Sequence, residues 1–251
     1  MRPLVGTSSK MNLTSSEART YLLTLRDLLG GMDGVDLFVL PPFTSLWVAR
    51  ECLEGSAIAW GAQDVHAEED GAYTGDISAR MLADLGCAYV EVGHSERRRD
   101  HHESDAMVAA KVAQAVRHGM TPVMCVGEGE RVDPPTAHRT VVAQVERGLA
   151  RIQPGTKAAV VIAYEPVWAI GSGASSADPE YIEAMHAHIR RSLVEGGHAT
   201  DVRVIYGGSV DPESAAAIIA RDGVDGLFVG RAALDPATFA AIARIALDRQ
   251  D

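Results

Sequence analysis

At 251 residues, 47% hydrophobic and 5% aromatic, the chain can build a large core, and no stretch approaches the roughly 20 apolar residues of a membrane span. Its formal net charge of −11, from 34 acidic against 23 basic side chains, argues against nucleic acid or an anionic membrane as partner. Three cysteines without CxxC spacing, Cys52, Cys87 and Cys125, read as reduced, buried thiols and argue against a disulfide framework or a thiolate zinc site.

In chain order, Leu4-Val5 is a first short strand, and Lys10 follows it after two serines. Thr14 with Glu17 forms a capping-box signature opening a helix that runs to Leu29 and ends at Gly30-Gly31. Further strands are expected at 35–40, 57–60, 88–92, 121–126, 158–164, 202–206 and 226–229. They are nearly continuous apolar runs, the pattern of parallel strands covered on both faces. Between them, 104–117 carries Met107, Val108, Val112 and Val116 on one helical face and stops at Gly119. Asp211-Pro212 and Asp235-Pro236 each place a capping Asp before a Pro suited to the first helical position.

No linker or low-complexity tract divides the chain, so a single domain over 1–251 is expected. Eight βα units in this length predict an α/β protein of the (β/α)8 barrel class, whose active sites lie at the C-terminal ends of the strands. The competing doubly wound sheet has fewer strands, and the first βα turn lacks GxGxxG. No basic segment followed by an apolar run opens the sequence, and the expected location is cytoplasmic.

In a barrel, the residues just after each strand converge. They include Lys10; Gly93-His94-Ser95-Glu96; Glu165 with the following 166–173; Gly207-Gly208-Ser209; and Gly230-Arg231. A lone lysine is ordinarily a solvated loop residue. A carboxylate beside an imidazole can abstract a proton next to a carbonyl. Glycine-rich turns ahead of helices suit a phosphate. Other candidates are weaker. His101 and His102 follow a basic run and read as surface residues. His186 and His188, two apart on a helix, point to different faces and form no metal pair. Cys125 reads as a packed thiol.

The segments VEVGHSERRR (90–99), AYEPVWAIGSG (163–173), IYGGSV (205–210) and DGLFVGRAAL (225–234) resemble the triosephosphate isomerase family. SKMN (9–12), GAYTGDIS (71–78) and CVGE (125–128) extend the resemblance along the chain in family order. It implies a TIM barrel that isomerises a phosphosugar through an enediolate, with Glu165 as base and His94 as the neutral imidazole polarising the carbonyl. Glu96 is the implied partner of Lys10, the cation that balances phosphate and enediolate charge. Ile170, Gly171, Ser172 and Gly173 resemble the lid loop, with the Gly171 N–H on phosphate, and Ser209 and Gly230 are implied further N–H donors. Thr74 resembles the residue that a homodimeric partner would receive in its active site, and 97–99 resemble arginines in structural pairs. No metal or organic cofactor is implied.

The sequence also departs from its family. Ser8 and Ser9 stand where Asn and Trp are usual, Arg231 replaces the second Gly of a Gly-Gly pair, and the lid reads Gly-Ser-Gly-Ala-Ser-Ser instead of Gly-Thr-Gly-Lys-Thr-Ala. With acid and base kept and substrate-contact positions changed, the segments around 6–12 and 225–233 resemble the branch that interconverts L-erythrulose 1-phosphate and D-erythrulose 4-phosphate. That four-carbon substrate is the expectation, with Ser8 leaving space at the reacting end and Arg231 adding a cation near the phosphate. The alternatives are the three-carbon reaction of the family and a non-catalytic barrel that binds a phosphorylated metabolite.

Overall fold

The computed structural model describes residues 1–155, 159–171, 175–198 and 202–248. Eight parallel strands close on themselves in sequence order: β1 (Leu4–Ser8), β2 (Asp36–Leu40), β3 (Ile58–Ala62), β4 (Tyr89–Val92), β5 (Thr121–Val126), β6 (Val161–Tyr164), β7 (Arg203–Tyr206) and β8 (Gly226–Val229). Around them, among the described residues, lie α1 (Ser15–Leu29), α2 (Leu46–Leu53), α3 (Ala79–Asp84), α4 (Ser95–Asp100), α5 (Asp105–Arg117), α6 (Pro134–Gly148), α7 (Pro179–Glu195), α8 (Pro212–Ile219) and α9 (Pro236–Asp248). The chain is a single-domain TIM barrel. No described helix is long and apolar enough to cross a membrane.

Local sequence explains the helix starts. Thr14 and Glu17 exchange reciprocal bonds, with Thr14 N donating to Glu17 Oε2 at 2.7 Å, which satisfies amides otherwise orphaned at the start of α1. Asp211 caps α8 by accepting from Ser214 N at 2.8 Å, and Asp235 accepts from Thr238 N at 2.9 Å. The same Asp-Pro start recurs at α6 (Asp133) and α7 (Asp178).

Two apolar layers hold the barrel. The larger lies between sheet and helices; the smaller fills the lumen with Leu4, Phe38, Leu40, Val123, Cys125, Val161, Ala163, Ile205 and Phe228. Phe38 stacks on Tyr89 and Phe228 at ring distances of 4.6 and 5.6 Å. The Phe38 ring also lies where a Cβ on Gly6 would stand. β1 runs to Ser8, past the predicted Leu4-Val5, because Gly6, Thr7 and Ser8 pair with Phe38, Val39 and Leu40 of β2, and at Gly6 a small residue makes room for a large one across the lumen.

Strand edges elsewhere move by one or two residues, and of the predicted sixth strand, Ala158 lies outside the described residues while only Val161–Tyr164 is strand. Met107, expected on the apolar face of α5, is 42% exposed. The buried face there includes Lys111, whose Nζ reaches Asp64 at 2.6 Å and Glu103 at 2.5 Å. Arg97 joins the same acids, at 2.8 Å to Asp64 and 2.5 Å to Glu103. Arg98 donates to Gly93 O and pairs with Asp105 at 2.7 Å, while Arg99 pairs with Asp100 at an exposed site. These pairs brace the turn that carries His94. The three cysteines are free and buried.

Candidate active site

At the strands' C-terminal ends a pocket of about 510 Å³ opens, lined by Ser8, Lys10, His94, Glu96 and Glu165 together with Ile170, Gly171, Ser209, Gly230 and Arg231. Ser172 and Gly173 of the predicted lid lie outside the described residues. Thr74 lies elsewhere, exposed on the loop that His66 N closes by donating to Ile77 O at 2.8 Å. His101 and His102 are exposed, and His186 is buried with its Nδ1 3.0 Å from Gly223 O, as structural residues would be.

Lys10 is held in an unfavourable backbone conformation, with φ of 51°. A non-glycine residue stays there only when its surroundings over-determine it. Gln63 supplies part of that constraint: its amide donates to Lys10 O at 3.1 Å and to Leu40 O at 2.9 Å, tying the end of β1 to β2. The Lys10 ammonium then meets Glu96 Oε1 at 2.8 Å. Burial disfavours the charge on Glu96, but the Lys10 hydrogen bond and neighbouring groups outweigh it and hold that carboxyl below its ordinary value.

His94 caps α4, its Nδ1 accepting from Glu96 N at 3.1 Å. An accepting Nδ1 carries no proton, so the neutral ring must bear its hydrogen on Nε2. That nitrogen lies 3.4 Å from Glu165 Oε2. Burial and then the Lys10 charge push the imidazolium pKa down to about 4, so the ring stays neutral around pH 7. Glu165 is 4% exposed, and burial followed by the neighbouring Glu91 raises its carboxyl well above the usual range. A buried base whose Oε2 has no hydrogen-bond partner faces a neutral donor, an arrangement able to shuttle a proton on a carbonyl compound.

The glycines of the 205–210 segment do more than expose N–H groups. A Cβ on Gly207 would lie 2.6 Å from Glu165 Oε1, and one on Gly208 would lie 2.0 Å from Tyr206 Oη. Both are therefore needed for the side chains packed over them. Ser209 departs from expectation: its N–H and its hydroxyl both donate to Ala169 O, at 3.0 and 2.9 Å. In this conformation its amide is engaged with the foot of the lid and is not available to phosphate. Gly171 has φ of 112°, which glycine alone adopts without strain. Arg231 starts a short 3-10 turn with ordinary backbone, so it replaces glycine there without strain.

Motif reading missed several groups. Glu128, 2% exposed, accepts from Trp168 Nε1 at 2.8 Å, Tyr181 Oη at 2.8 Å and Tyr164 Oη at 3.1 Å, and so anchors the segment entering the lid. Tyr206 Oη accepts from Ala177 N at 2.9 Å on the far side. Glu91 lies on the pocket floor, where Cys125 Sγ is 3.8 Å from its Oε1. Burial drives the Cys125 thiol well above its ordinary value, as befits an inert packed group. Glu91, His94 and Glu165 each bring one atom within 4.8 Å of the other two, close enough for the two carboxylates to feel each other's charge.

A barrel whose mouth pairs a buried carboxylate with a neutral imidazole beside a fixed cation is the build of an enzyme that relocates protons, an isomerase of the intramolecular oxidoreductase class. The sequence model of triosephosphate isomerase matches residues 3–246. The triosephosphate isomerase of Thermus thermophilus is 47% identical over 249 residues, covering 98% of this chain and 99% of that one. That of Roseiflexus sp. (strain RS-1) is 45% identical over 244 residues, 96% of each. The crystal structure of triosephosphate isomerase from Bartonella henselae superposes with a TM-score of 0.87 at 33% identity, covering 98% of this chain and 99% of that one. The chain belongs to the triosephosphate isomerase family.

Proposed function

We propose that the protein interconverts dihydroxyacetone phosphate and glyceraldehyde 3-phosphate. The single observation behind this reading is the facing pair, Glu165 and the neutral His94, on the rim of a pocket whose chain is 47% and 45% identical end to end to triosephosphate isomerases. Glu165 removes a proton from the carbon next to the carbonyl. His94 polarises that carbonyl through Nε2–H and moves protons between the two oxygens. Lys10, held by Glu96, balances the charge of the enediolate and phosphate. Gly171 and Gly230 offer N–H groups to the phosphate, and Ser209 does so once Ala169 releases it. Closure of the lid over substrate excludes water from the enediolate.

The expected preference for four-carbon erythrulose phosphates finds no support in the comparisons. It rested on Ser8, Arg231 and the lid, whereas the relatives match across the whole chain and are triosephosphate isomerases. A side-by-side kcat/KM on dihydroxyacetone phosphate and L-erythrulose 1-phosphate tests the reading: the triose should win. Ser8→Asn should then leave triose turnover within a fewfold of wild type. A preference for the tetrose that Ser8→Asn reverses, by roughly 10–200-fold, would overturn it.

We also propose a homodimer. The Thr74 loop presents Tyr73 at 44% exposure, and Met11 and Met81 are 97% and 56% exposed, apolar side chains that a second copy would cover. A cavity of about 400 Å³ beside this loop, lined by Phe43, His66 and Met107, offers a place for a second copy to dock. Sedimentation at assay concentration should give twice the chain mass of 26.7 kDa. A fully active monomer would refute it.

A further inference from the structure

We propose that Glu91 is a further positioning residue of the reaction: its carboxylate, set against Glu165 on the pocket floor, makes Glu165 a stronger base than it would be alone. The inference rests on reading Glu165 as the base.

Side chains alternate along β4, so Glu91 points the same way as Tyr89, which stacks on Phe38 in the lumen. Glu91 therefore sits one layer above the aromatic plug, 3% exposed, in the layer that also holds Ser8, Cys125 and Glu165. A carboxylate in such a place is not needed to fill space, since an apolar residue of similar volume would continue the lumen. Two neutral groups face it: the Cys125 thiol at 3.8 Å and the Ser8 hydroxyl, which favours the charged form of Glu91 but does not outweigh burial.

The groups facing the Glu91–Glu165 pair come from five directions. Lys10 at the end of β1 favours the charge on both, but it is already paired with Glu96 at 2.8 Å. Glu96 itself, on α4, and Asp64 beyond β3 add negative charge. His94 stays neutral and contributes no cation. Cys125 on β5 is a protonated thiol, and Arg231 lies at the exposed rim beyond β8. Two carboxylates within 4.8 Å in a buried site, with one shared and already engaged ammonium, do not both ionise readily. Burial pushes Glu91 up to about 7, and burial followed by the Glu91 charge raises Glu165 well above the usual carboxylate range. An ionised Glu91 is a like charge beside Glu165, and it raises the Glu165 carboxyl. Both carboxyls are raised, so the pair gives up its protons less readily than two solvated acids would. Glu165 accepts the substrate proton more readily for having a negative neighbour, and it loses competence sooner as the solution is acidified.

The test is the pH profile of kcat/KM on dihydroxyacetone phosphate in the presence of chelator. A raised carboxyl must lose its proton before it can act, so the acid limb of wild type should lie high. In Glu91→Gln and Glu91→Leu it should move to lower pH by about one to three units, with a lower plateau kcat, because removing a like charge at this distance shifts a carboxyl by about that much. Glu91→Asp keeps the charge and should stay near wild type. Infrared titration of wild type should show a protonated carboxyl persisting at neutral pH, a readout that survives if the variants fold poorly. An unmoved limb in both Gln and Leu, an equal displacement in Asp, no protonated carboxyl at neutral pH, or a limb that moves when a divalent cation is removed would each overturn the inference. If Glu165→Gln were fully active, the reading of the base would fail instead, which separates the two.

Discussion

Replacing Glu165 by Gln should lower kcat by at least 10²–10⁴-fold, the contribution of a well-placed general base, with a smaller change in KM. The amide keeps the volume of the side chain in a site that is 4% exposed, so the protein should fold normally. What it loses is the carboxylate that would take the substrate's carbon-bound proton, facing His94 Nε2 at 3.4 Å. Chelators should leave the wild-type rate unchanged, because the proposed chemistry runs on side-chain protons and a fixed ammonium. Stopped-flow or coupled assays of wild type and variant decide it: near-native turnover in Glu165→Gln would sink the assignment of the base.

Lys111→Met should cost about 3–5 kcal/mol of folding stability, the range for breaking a buried ion pair from one side. Asp64 and Glu103 both turn to this ammonium, at 2.6 and 2.5 Å, and Arg97 alone would be left to them. Burial disfavours the charge on Glu103, but Lys111 together with Arg97 outweighs it and holds that carboxyl below its ordinary value. A lowered folded pKa contributes stability above the unfolded value and loses it as pH falls through the folded one. Asp64 goes the other way, burial raising its carboxyl in spite of Lys111, so the pH dependence follows Glu103, and the gap between variant and wild type should be wider at pH 7 than at about pH 4. Urea unfolding at the two pH values measures it. A loss under 1 kcal/mol at pH 7 would show that Arg97 suffices.

Much of the fold was legible because parallel strands buried on both faces are written as unbroken apolar runs, and because Asp-Pro and Thr-x-x-Glu starts carry their caps locally. The site was legible as far as long motifs reached: Lys10, His94, Glu96 and Glu165 were expected on one rim and share one pocket. The rest lay beyond local pattern. Glu91 was hidden inside the run Val90-Glu91-Val92, because a strand covered on both faces gives no clue as to which residue looks into the lumen. Gln63 and Glu128 act through contacts with residues tens of positions away, which no spacing rule encodes. The amide of Ser209 was expected on phosphate, yet its partner Ala169 lies 40 residues off in sequence and is found only in three dimensions. The four-carbon preference found no support among the relatives, and for a different reason: it weighed a few altered contact positions above the whole-chain likeness that they show.

The pairing of β8 with β1, from Leu4 opposite Gly226 to Thr7 opposite Val229, has a consequence for how the protein is made. A chain emerging from the ribosome with seven strands complete still carries two unpaired edges, and neither can be covered until the eighth has been synthesised. Loop-closure entropy on this scale must be met before the seam rewards it, which slows the final step. The seam is also sterically strict, since a Cβ on Gly226 would stand 1.9 Å from Leu4 O. A ribosome stalled shortly before residue 226 would thus release an open sheet with sticky edges, the kind of species chaperones hold.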